Sequence, residues 1–145
     1  MSNQGHYVPI RSLECPPGTE YDEETFQYFV AIERARAERS SHRIRLLVAT
    51  LEPVPGKPAP IPPASAARLF EGLRLSLRDT DVTGWYRQDR VAGAVLSASA
   101  GEAGDEMSSL IEQRVDEGLR QRLPSSVARG LRVRIIQDGP RRYGN

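Results

Sequence analysis

The apolar residues of this chain switch between two spacings, and the order of the switches leaves few folds open. From residue 66 onward Ala66, Leu69, Phe70, Leu73 and Leu77 follow the i, i+3, i+4, i+7, i+11 pattern of a helix with one apolar stripe. Ser65 stands before it as an N-cap. Within 21–39, Phe26, Phe29 and Val30 share a helical face, with Asp22, Glu23 and Glu24 early and Arg34, Arg36 and Arg39 late, as the helix dipole favours. Met107, Leu110, Ile111, Val115 and Leu119 form a third helical stripe that stops before Pro124, weakened slightly by Gly118.

The remaining apolar segments have the length and spacing of strands. Residues 44–51 form a short, β-branched run suited to a buried central strand. Residues 82–86 and 91–97 flank the polar Arg87-Gln88-Asp89-Arg90 and predict adjacent antiparallel strands with a tight turn tipped at Gln88 and Asp89. Leu131, Val133 and Ile135 alternate with Arg132 and Arg134, a strand with one wet face. Six prolines fall in the twelve residues 52–63, which removes backbone donors and predicts an extended, polyproline-like connection. Residues 1–20 and 138–145 read as tails, 99–104 as a small, flexible link, and 21–137 as the domain.

The resulting order is a helix followed by β-α-β-β-α-β, an α+β, ferredoxin-like plan with a central antiparallel sheet. Right-handed crossovers put the strands at 44–51 and 91–97 in the middle and the other two at the edges.

Composition removes several functions. A chain of 145 residues is one ordinary domain, and a formal net charge of +1 supplies no general pull toward nucleic acid or anionic lipid. An RNA-recognition domain shares this strand order, but its central strands carry stacking aromatics, which 44–51 and 91–97 lack. His6 and His42 have no metal-spaced partners, and Cys15 has no adjacent base, so neither a metal nor a nucleophilic site is expected. The lone cysteine, the start without a basic and apolar leader, and the absence of an apolar run of membrane-spanning length predict a soluble, cytoplasmic protein with no membrane insertion.

Three local features resemble the GGDEF diguanylate cyclase family, a branch of the nucleotidyl cyclase fold. They span roughly residues 21–137. Phe26-x-x-Phe29-x-x-Ile32-Glu33-Arg34-Ala35-Arg36, followed by Arg45-Leu-Leu-Val-Ala-Thr-Leu-Glu52, is similar to the family's first helix running into its first strand. Leu77-Arg-Asp-Thr-Asp-Val-Thr-Gly-Trp-Tyr86 resembles the segment that precedes the signature turn. The turn itself falls where the signature belongs. The short form, with its Asp-Val-Thr-Gly-Trp-Tyr run, looks like small domains associated with bacterial exopolysaccharide synthesis.

The resemblance implies where catalysis would sit and that it has been lost. A strand-one carboxylate and an acidic turn residue hold the family's metal ions, whose charge offsets crowded phosphate oxygens. Here Thr50 takes the first position, with Glu52 a weaker substitute, and Arg87-Gln88-Asp89-Arg90-Val91 replaces Gly-Gly-Asp-Glu-Phe, so only Asp89 survives. The segment that recognises guanine in the family is displaced by the prolines. The expectation is a non-enzymatic regulatory or docking module without cofactor, acting through a protein partner or self-association by its first helix or outer sheet face, with weak nucleotide binding or residual cyclase chemistry through Glu52 and Asp89 as an alternative. Arg78-x-x-Asp81 matches the spacing of the family's inhibitory site and implies a possible cyclic di-GMP ligand, bound through phosphate or guanine edges. The same two residues can instead simply close the helix and start the next strand. Trp85 and Tyr86 point to opposite sheet faces, so one belongs to the core and the other faces solvent or a partner; Trp85 has the chemistry of an interface anchor or of a core residue.

Overall fold

The computed structural model describes residues 20–40, 43–78, 80–96 and 104–138. Most of the two expected tails and of the link at 99–104, together with His6, Cys15 and His42, lie outside the described residues. The elements run α1 (Glu23–Ser40), β1 (Ile44–Val54), β2 (Lys57–Ala59), α2 (Pro63–Ser76), β3 (Val82–Arg87), β4 (Val91–Leu96), α3 (Gly104–Arg122), α4 (Ser125–Ala128) and β5 (Leu131–Asp138).

The sheet is antiparallel throughout, with β1 lying between β4 and β5, and β3 outside β4. This is the expected order, with 44–51 and 91–96 in the centre. Leu47, Ala49 and Leu51 of β1 pack with Leu69, Phe70 and Leu73 of α2 and Val115 and Leu119 of α3. The alternate residues Ile44 and Leu46 pack on the other face with Phe26, Val30 and Ala37 of α1. Burial on both faces explains why 44–51 reads as an unbroken apolar run rather than an alternating one.

Three expectations are corrected. The proline-rich segment is not one extended connection: β1 continues to Val54, turns at Pro55 and Gly56, where Gly56 has a φ of 82°, and returns as β2. Pro58, the one proline inside β2, is tolerated because β2 is a three-residue edge strand, where a missing backbone donor costs little. The second helix begins at Pro63 rather than after Ser65, since proline's fixed φ suits the first helical position; Ser65 is buried. Leu110 is 59% exposed. The inward row of α3 advances in four-residue steps through Ile111, Val115 and Leu119, and Leu110 sits about a quarter turn away. On the outer sheet face, α1 covers the β3–β4 half.

Two glycines fix where α1 lies. Gly84 and Gly93 pair across β3 and β4. A methyl group at Gly84 would come within 2.8 Å of Phe26 Cδ1, and one at Gly93 within 3.1 Å of the same ring. The pair thus forms a notch that fits Phe26, which is completely buried. Burying such a side chain contributes about 2–3 kcal/mol.

Candidate functional site

The two ends of the sheet differ in construction. At one end lie the end of β1, the β1–β2 turn and the β3–β4 turn; at the other lie the start of β1, the end of β4 and the chain between α2 and β3.

At the turn end, Glu52 is 7% exposed. Its Oε1 accepts the Gly56 N–H at 3.0 Å, and its Oε2 accepts the Thr50 hydroxyl at 3.0 Å. Arg132 Nε lies 4.0 Å away. The Gly56 bond holds this carboxyl below its ordinary value of 4.5; burial pushes the other way, and the Thr50 hydroxyl and the charges of Arg134 and Arg132 add to the lowering. The Glu52 backbone N–H is also bound, to Gly130 O at 2.6 Å. Thr50 and Glu52 thus close a hairpin.

The β3–β4 turn is similarly occupied. Arg87 stacks its guanidinium 4.7 Å from the centre of the Tyr86 ring. Gln88 and Glu23 exchange bonds: the Gln88 N–H donates to Glu23 Oε1 at 2.7 Å, and the Glu23 N–H donates to Gln88 Oε1 at 3.0 Å. Asp89 takes a left-handed φ of 63°, a conformation aspartate tolerates better than most residues. Its carbonyl accepts the Ile61 N–H at 2.7 Å, pinning the proline-rich segment to the turn. Asp89 lines a cleft of about 530 Å³ with Ile61, Trp85 and α2, whereas the Glu52 carboxylate is engaged in its own hairpin. Among the described residues no three or more His, Cys, Asp or Glu side chains gather as a metal site.

Trp85 is 4% exposed and packs edge-on against Phe70, with ring centres 5.0 Å apart. Of the two readings of Trp85, this burial is that of a core residue under α2 rather than of an exposed interface anchor. Tyr86 is half-buried beneath α1 and beside Arg87.

The opposite end holds a cleft of about 370 Å³. Leu77, Leu96, Met107 and Ile111 contribute apolar walls, and Arg45, Arg78, Arg114 and Asp81 contribute charge. Asp81 Oδ2 accepts the Arg78 N–H at 2.9 Å, and the Asp81 N–H donates to Arg78 O at 2.9 Å, so this pair does close the chain between α2 and β3. Both residues also line the cleft. Arg45 and Arg114 escaped the sequence reading, since each sits in an element with its own structural explanation. Three guanidiniums around one carboxylate suit an anion that also carries hydrogen-bond donors.

No protein-family model matches the chain, and no curated protein matches it. Among solved structures it is similar to a DGC protein from Thermotoga maritima, with a TM-score of 0.58 and 14% identity over 84% of this chain and 82% of that one. It is also similar to the GGDEF domain of the Pseudomonas aeruginosa protein TpbB or YfiN, with a TM-score of 0.55 and 13% identity over 84% of this chain and 73% of that one. At these identities the likeness is one of architecture: the chain has the α+β fold of GGDEF domains, within the nucleotidyl cyclase fold.

Proposed function

We propose that this chain is a non-catalytic GGDEF-like module that regulates or docks on a protein partner, in exopolysaccharide synthesis or cyclic dinucleotide signalling. The observation that carries the reading is the use of Glu52. A carboxylate that accepts the Gly56 and Thr50 hydrogens and faces Arg132 and Arg134 is ill suited to a divalent cation, which needs uncommitted oxygen donors and suffers from nearby positive charge. Arg90, where the family has a carboxylate, adds to the misfit. The contacts of Gln88 and Asp89 support the same reading, because these backbone and side-chain groups hold α1 and the proline-rich segment.

A second reading, a cyclic di-GMP receptor, is favoured by the cleft at Arg78 and Asp81 and its two further arginines. Calorimetric titration with cyclic di-GMP, GTP and ATP, with and without magnesium, tests both. The docking reading predicts no heat from any of them. Cyclic di-GMP binding that disappears in Arg78→Ala supports the receptor reading, and magnesium-dependent triphosphate binding contradicts the non-catalytic one.

A further inference from the structure

We propose that the β3–β4 turn is a latch for α1, and that α1 opens from the sheet as a unit while the core beneath α2 and α3 stays folded. Three observations point to it. First, α1 rests on its own apolar cluster, Phe26, Val30 and Ala37 against Ile44, Leu46 and Val95, on the sheet face opposite the main core. Second, polar contacts from its N-terminal region run to β3 and its turn. Tyr21 donates to Thr83 O at 3.3 Å and accepts the Trp85 N–H at 2.9 Å; Gln27 Nε2 donates to Tyr86 O at 2.8 Å; Glu23 and Gln88 exchange their two bonds.

Third, the Glu23–Gln88 exchange is a capping arrangement made across 65 residues of sequence. Helix starts leave backbone N–H groups without intrahelical partners, and a side chain beside the N-cap normally satisfies them. Here Asp22 Oδ1 takes the Thr25 N–H, and the turn supplies the acceptor for the Glu23 N–H. Losing the turn contact therefore frays the helix start and frees the turn together.

The consequence is mechanical. Asp81, which lines the arginine cleft, directly precedes β3, and β3 ends at the latch, so displacement of the chain at Tyr21 acts on the strand that continues from the cleft. The latch and the cleft are thus joined by one continuous stretch of backbone, through which this proposal couples them. This does not depend on whether any nucleotide binds.

Amide hydrogen exchange on the whole chain tests the latch, since it separates local from global opening. In the unaltered protein the α1 amides from Phe26 to Val30 should exchange faster than those of Leu69 to Leu73 and Val115 to Leu119. Gln88→Ala should speed the α1 amides by about three- to tenfold, the effect of one or two hydrogen bonds, and leave the α2 and α3 amides unchanged. Phe26→Leu, which loosens the notch fit while keeping an apolar side chain, should accelerate the same α1 amides selectively. Equal protection of α1 and the core in the unaltered protein overturns the proposal. So does a Gln88→Ala variant in which α1 is unaffected or all three helices change by the same factor.

Discussion

The turn end and the cleft end of the sheet share the same strands but invest their polar groups differently. At the turn end Glu52, Gln88 and the Asp89 carbonyl are each bonded to another part of the chain. At the cleft end Asp81 closes its local turn, yet it also lines a concavity with arginines drawn from β1, from the chain after α2 and from α3. The difference teaches that one sheet can commit its polar groups to the fold at one end and leave them lining a cleft at the other. A strand end and a turn hold the fold, while the other end of the same sheet forms a concave surface lined by arginines.

That contrast predicts a gradient of effects, largest at the turn end. Trp85→Ala removes a ring buried against Phe70 and should cost about 3–5 kcal/mol of stability, seen as a lower urea midpoint. A small effect would mean that Trp85 is not part of the core. Gly84→Ala should cost about 1–3 kcal/mol by the same measurement, because the new methyl meets both the Phe26 ring and the Tyr21 carbonyl, the latter at 2.9 Å.

Glu52→Ala should cost about 1–3 kcal/mol at neutral pH by leaving the Gly56 N–H and the Thr50 hydroxyl without this acceptor. Its pH dependence has a definite sign. The folded carboxyl titrates below 4.5, so its stabilisation is present above that value and is lost as pH falls through the folded pKa. The gap between the parent and Glu52→Ala should therefore narrow below about pH 4.5. A gap that is constant down to strong acid breaks the structural account of Glu52.

At the cleft end the stability effects should nearly vanish. Arg78→Ala and Arg114→Ala place the change at exposed side chains and should shift stability by no more than about 0.5 kcal/mol. If the receptor reading holds, each should weaken anionic ligand binding despite that neutrality. Large destabilisation by either would erase the distinction between the ends.

Much of this architecture was legible in the sequence, for reasons specific to each element. The order of β5, β1, β4 and β3 followed from one hairpin and two right-handed crossovers. The β1–β2 hairpin was hidden because its prolines suggest an unpaired chain, and only pairing along the edge of β1 reveals that their missing donors are not needed. Strand glycines were the overlooked signal: Gly84 and Gly93 announce a close approach from outside the sheet, though not that Phe26 makes it. Alternation put Trp85 and Tyr86 on opposite faces without saying which face carries the main core. Arg45 and Arg114 were illegible as cleft residues, since only the folded chain brings β1, α3 and Arg78 together.

The central claim is that the turn end serves structure rather than catalysis, and turnover tests it most directly. The purified chain, incubated with GTP and magnesium and followed by chromatography, should release no cyclic dinucleotide above a protein-free control. Product that accumulates in proportion to the protein, and is lost in Glu52→Ala, would contradict the account.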